Sequence, residues 1–164
     1  MLQGIYKAAG TANEYTWYVS TEDRRIDTSV TTAHIQFLVK FTNDMDKSIQ
    51  YAYGALETIY SRYTAFRFEY NINPDIFTGK TKLFPAGYWK YECYEVSWTG
   101  VVSLVRDKAP STETEVLPAE PDHGIVQGLV TKGKMYVAEK DGTEQVQYTQ
   151  RQEPDGTNYI YYGQ

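Results

Sequence analysis

Ala33-His34-Ile35-Gln36-Phe37-Leu38-Val39-Lys40-Phe41-Thr42 decides the fold class of this chain. Ala33, Ile35, Phe37, Val39 and Phe41 share one parity, and most residues on the other are polar. A period of two marks a strand with one buried face, because successive side chains point to opposite sides of a sheet. Asn43-Asp44-Met45-Asp46-Lys47 supplies turn chemistry, and Ile49, Tyr51 and Tyr53 resume the alternation. The whole reads as a β-hairpin.

Working outward, Phe66, Phe68 and Tyr70 alternate with Ala65, Arg67 and Glu69 and end at the turn signal Asn71-Ile72-Asn73-Pro74-Asp75. Leu56, Ile59, Tyr60 and Tyr63 have a spacing that one or two helical turns could use, an ambiguous stretch. No other segment sustains a 3.6 period, so the expected class is all-β. Tyr88–Trp98 is aromatic or apolar on both parities, as in a central strand buried on both faces or bulged near Cys93. Residues 106–124 carry Pro110, Pro118 and Pro121 among polar residues, a composition suited to a linker or surface strap. Strand signals return at Ile125–Val130, Lys134–Lys140, Thr143–Gln150 and Asn158–Tyr162, with turns at Asp141-Gly142 and Pro154-Asp155-Gly156. The expected organisation is a β-sandwich over 1–105, a Pro-bearing strap over 106–124, and a β-meander over 125–164. Such a small meander needs a surface to cover one face, so it docks on the sandwich or on a neighbouring subunit.

The totals narrow the function. Of 164 residues, 16 are Tyr, a side chain that joins a large apolar ring to a hydroxyl and suits half-buried sheets and interfaces. The lone Cys93 has no intramolecular partner and reads as a small buried apolar residue. With 16 Lys plus Arg against 21 Asp plus Glu, net charge is −5 and no basic stripe stands out, which argues against direct nucleic-acid binding. No long apolar run or secretory leader is legible, so folding in a cytoplasm, away from membranes, is expected.

The motifs carry little chemistry. Leu83-Phe84-Pro85-Ala86-Gly87-Tyr88-Trp89 sets a Pro/Gly turn before an aromatic strand and resembles the tyrosine corner of immunoglobulin-like sandwiches. Pro85, Gly87 and Tyr88 are therefore candidates for a fold-locking corner, with Tyr88 as the corner residue. Gly128-Leu129-Val130-Thr131-Lys132-Gly133-Lys134 approaches a phosphate-loop spacing, but Met135 stands where a hydroxyl is required and a strand follows instead of a helix. A tight hairpin with Gly133 at a positive φ is the expectation. His34 and His123 lack acids or cysteines at ligand spacing, and Asn43, Asp44 and Asp46 fall short of a calcium loop, so neither metal nor cofactor is expected. No nucleophile elbow occurs. Glu92 and Glu95 sit in an aromatic strand but point to opposite faces, and read as surface acids.

Asp23-Arg24-Arg25-Ile26-Asp27-Thr28-Ser29-Val30-Thr31-Thr32-Ala33-His34, and the tail from Glu144-Gln145-Val146-Gln147-Tyr148 to Tyr159-Ile160-Tyr161-Tyr162-Gly163-Gln164, resemble small structural proteins of tailed bacteriophages. That resemblance implies a non-enzymatic virion component assembled in the host cytoplasm. A capsid decoration or cement protein is the leading role, and a head–tail adaptor or tail component the nearby one. Other virion proteins and further copies of the chain would be its partners, with Tyr148, Tyr159, Tyr161 and Tyr162 as interface candidates. The rival is a carbohydrate-binding module, in which Trp17, Trp89 or Trp98 forms an exposed stacking platform. Solvent-facing, coplanar tryptophans would favour sugar, and rings spread through cores would favour scaffolding.

Overall fold

The computed structural model describes residues 3–6, 13–21, 25–59 and 62–138. Its strands are β1 (Gln3–Tyr6), β2 (Asn13–Val19), β3 (Ile35–Asn43), β4 (Ile49–Tyr53), β5 (Ala55–Ile59), β6 (Thr64–Tyr70), β7 (Lys80–Thr81), β8 (Gly87–Ser97) and β9 (Ile125–Ala138). They form two open sheets, one in the order β1-β9-β8-β3-β4 and one in the order β2-β6-β5 with β7 beside β6. Pairing is antiparallel except at β1–β9 and β6–β7. Among the described residues there is no α-helix, and hence none long and apolar enough to cross a membrane. The all-β, two-sheet expectation holds.

The decisive stretch is β3, paired on one side with β4 and on the other with β8. Ile35, Phe37, Val39 and Phe41 point between the sheets with Trp89, Tyr91 and Cys93 of β8, Val39 opposite Cys93 and Phe41 opposite Tyr91. Trp17 of β2 meets them from the opposite sheet, its ring 4.5 Å from that of Tyr91 at 88° and 5.7 Å from that of Phe68. Edge-on aromatic contacts of this kind add specificity to the burial of large apolar area. Cys93 is fully buried, and desolvation pushes its thiol far above the ordinary value, as suits an apolar filler.

The other face of the five-stranded sheet carries a second, smaller core. Leu38, Tyr53, Val96 and Trp98 are covered there by the strap, which inserts Ala109 among them. Tyr53 Oη donates to Pro110 O at 2.5 Å, and Tyr51 Oη donates to Glu113 Oε2 at 2.5 Å. Lys40 Nζ holds the other Glu113 oxygen at 2.7 Å. Gly124 brings the strap back beneath Trp98, where a Cβ would stand 2.6 Å from the indole. The segment 106–124 is thus a surface strap laid over its own sheet, which explains why Tyr88–Trp98 is apolar on both parities. A register shift lies beside Cys93, but its extra residue, Val130, belongs to β9, and β8 itself keeps unbroken register with β3.

Ile49, Tyr51 and Tyr53 alternate in β4 as expected, with Tyr51 and Tyr53 under the strap and Ala52 in the main core. Three expectations are corrected. Residues 55–59 are strand β5, not a helical turn, with a bulge between Leu56 and Thr58. Gly133 is no hairpin: β9 runs unbroken through it, because the Tyr91 ring lies where a Cβ would sit, 2.5 Å from the hydroxyl. Finally, β9 is no docked meander strand. It inserts between β1 and β8 and contributes Val130, Met135 and Val137 to the main core. The remainder of the expected meander, 139–164, lies outside the described residues.

Candidate interaction face

The Pro85–Tyr88 corner is where the two sheets and the β3–β4 turn meet. Phe84-Pro85 is cis, and Gly87 has φ +127°, a conformation that L side chains rarely adopt. Trp89 Nε1 donates to Pro85 O at 3.0 Å, and Asn43 Nδ2 donates to the same carbonyl at 3.3 Å. The backbone tie expected of Tyr88 is therefore made by its neighbour Trp89. The Tyr88 ring is 48% exposed and lies 5.1 Å from Tyr136 of β9, while its carbonyl accepts from Asp44 N at 3.0 Å. Corner function and surface function are separated by one residue of alternation.

From that tyrosine pair the outer sheet face continues as a ladder of cations. Lys90 stands directly opposite Lys134 of β9 and Thr42 of β3, and Glu92 stands opposite Lys132 and Lys40. All three of Lys90, Lys132 and Lys134 are exposed. Together with Thr42, Glu92 and Gly133 they line a groove of about 500 Å³. Lys134 reaches Asp44 at 3.5 Å, and Lys40 is held by Glu113. Among the described residues no ion pair involves Lys90 or Lys132. The strap covers the far half of this face and leaves the near half, from Tyr88–Tyr136 to Lys132, open. Sequence reading missed the ladder because the lysines are scattered along the chain and meet only through strand register.

The titratable groups elsewhere are absorbed by the fold. Glu95, read as a surface acid, is fully buried at the end of the main core. Its Oε1 accepts from Arg25 Nε at 2.8 Å, and its Oε2 accepts from the backbone N–H groups of Ile26 and Asp27 at 3.0 and 3.2 Å. Arg25 also donates to the carbonyls of Asp27 and Val30, so one ion pair folds the 25–30 loop over the open end of the sandwich. Glu92 points to the opposite face, as alternation requires, 3.8 Å from Lys40. His34 Nδ1 lies 2.6 Å from Gly100 O. The β3–β4 turn uses Asn43 Oδ1 to accept from Met45 N and Asp46 N, and hydrogen bonds from Ser48 hold the Asp46 carboxyl below its ordinary value.

His123, expected to lack acidic neighbours, lies with Glu120 and Asp122, their ligand atoms all within 4.8 Å. Asp122 is taken by Lys108 at 2.5 Å, and His123 Nδ1 faces Pro118 O at 2.8 Å, so this cluster pins the strap to itself. Trp17, Trp89 and Trp98 are all buried, at 1%, 0% and 1% exposure. The sugar-stacking platform expected of them is not there, because each ring fills a core. Tyr148, Tyr159, Tyr161 and Tyr162 lie outside the described residues. No protein-family model, curated protein or solved structure matches the chain.

Proposed function

We propose that this chain is a non-enzymatic structural protein of a tailed-phage virion, most closely a capsid decoration or cement protein, built on an immunoglobulin-like sandwich. A head–tail adaptor or tail component is the neighbouring role. The strand order supports the fold reading: β2, β6 and β5 take the places of strands B, E and D, and β9, β8, β3 and β4 those of G, F, C and C′. Trp17 and Tyr91 meet across the sheets on the two strands that a disulfide joins in antibody domains. Fold alone does not give activity.

The observation that carries the functional reading is how the reactive side chains are placed. Among the described residues Cys93 is sealed, Glu95 is neutralised by Arg25 and His34 lies against a carbonyl, while the open sheet face offers tyrosines and lysines. Exposed tyrosines of this kind anchor protein–protein contacts and give much of their affinity, while the lysines steer a charged partner. The resemblance of residues 23–34 and 144–164 to small structural proteins of tailed phages supports a virion as the setting for those partners. Tyr159, Tyr161 and Tyr162 are the anchors toward a neighbouring subunit. Since β9 belongs to the sandwich, the test leaves 125–138 in place. Full-length chain with all three tyrosines changed to Ser should remain folded and fail to bind particles lacking the wild-type protein; undiminished incorporation rejects the reading.

A further inference from the structure

We infer that the open half of the outer sheet face is the seat for the acidic carboxyl-terminal residues 139–164 of a second copy of this chain, an assignment that rests on the assembly reading above. Lys90 directly opposite Lys134 is a like-charge cross-strand pair, which costs stability in an isolated sheet. Lys134 shares Asp44 and Lys132 stands opposite Glu92, but among the described residues no ion pair engages Lys90 or Lys132. An arrangement that is unfavourable within one molecule becomes favourable once carboxylates from another lie across it. One residue pair along the ladder from the Lys90–Lys134 end of the groove stand half-exposed Tyr88 and its partner Tyr136. The occupant of the groove therefore combines negative charge with apolar or aromatic side chains.

The chain itself contains such a segment. Residues 139–164 carry Glu139, Asp141, Glu144, Glu153 and Asp155 against Lys140 and Arg151, together with Tyr148, Tyr159, Tyr161 and Tyr162. β9 delivers this segment at Ala138, beside Gly87 and the Tyr88–Tyr136 pair. Seat and donor thus lie at one end of the molecule, and two copies related by a twofold axis can exchange segments reciprocally.

The test uses full-length protein. Unlabelled and 15N-labelled chains are mixed, treated with a carbodiimide that joins amines to carboxylates in direct contact, digested and examined by mass spectrometry. The proposal expects links from Lys90, Lys132 or Lys134 to acids of 139–164 that join a heavy to a light copy. Links confined to one copy, or none involving these lysines, overturn it. In parallel, Lys90→Glu should weaken self-association by about tenfold or more, as expected when charges across an interface become repulsive. The melting temperature should hold or rise, because the pair opposite Lys134 becomes attractive. Association equal to wild type overturns the proposal. If the lysine variant assembles while the Tyr159, Tyr161 and Tyr162 variant does not, assembly stands and this seat is wrong; a wild-type chain that stays monomeric sinks both.

Discussion

The two cores of this molecule are built differently, although they share one sheet. Between the sheets, Trp17, Phe37, Phe41, Phe66 and Phe68 pack ring against ring, and the one charged group sealed among the main-core strands, Glu95, sits at the end with Arg25. Under the strap, a smaller apolar cluster is rimmed by hydrogen bonds from Tyr53, Tyr51 and Lys40 to residues 110–113. The first arrangement draws its stability from burial and does not depend on pH near neutrality; the second depends on carboxylates and on a few donors. The inner core therefore governs global unfolding, and the strap layer opens locally at lower cost.

The sharpest way to break that contrast is to damage the inner core. Trp17→Ala should cost about 3–5 kcal/mol in chemical denaturation, since it removes the ring on which four aromatics converge. Arg25→Ala should cost about the same, about 3–5 kcal/mol, because it strands a buried carboxylate. A loss below one kcal/mol in both would mean that the sandwich end and centre are not the seat of stability.

Strap substitutions should act more weakly and locally. Tyr53→Phe deletes the bond to Pro110 O and should cost about 1 kcal/mol. Its signature is faster hydrogen exchange over 106–124 with little change in β3 and β8. Cys93 supplies the complementary probe, because its buried thiol should react with a thiol reagent only on global unfolding. Tyr53→Phe should leave that rate nearly unchanged while Trp17→Ala raises it. Equal acceleration by both would erase the distinction between the layers.

The smallest expected effect is the pH dependence of the strap. Partial burial opposes the charge on Glu113, but hydrogen bonds from Lys40 and Tyr51 outweigh it and hold the carboxyl below its ordinary value. Glu115 is held below its own by the hydroxyl and N–H of Ser111. Both are depressed in the fold, so their contribution is complete above the unfolded carboxyl value and is lost as pH falls through the folded one. Protection from exchange over 106–124, taken relative to the intrinsic amide rate, should fall as pH drops below about 4.5, and Glu113→Gln should flatten that fall. A strap indifferent to acid would show that these pairs hold nothing.

Much of the architecture was legible because period-two patterning is a local signal: β3, β6 and β8 could be read from their own residues. β2 escaped although Tyr15, Trp17 and Val19 alternate as β3 does, since Tyr18 sets an apolar ring on the other parity. Gly133 was misread because a glycine marks either a turn or a close approach, and the distinction required Tyr91 on another strand. Glu95 was misread because its partner, Arg25, lies in a distant loop. The lysine ladder depends wholly on register between β8 and β9, which no single stretch of sequence encodes.

The proposed role of this sandwich is to join copies and neighbours through the aromatic residues beyond β9. Light scattering on the size-fractionated full-length chain tests it most directly. The expected result is a defined oligomer that dissociates to folded monomer when Tyr159, Tyr161 and Tyr162 are changed to Ser; an oligomer unchanged by those substitutions, or a wild-type chain that is monomeric at every concentration, refutes the proposed role.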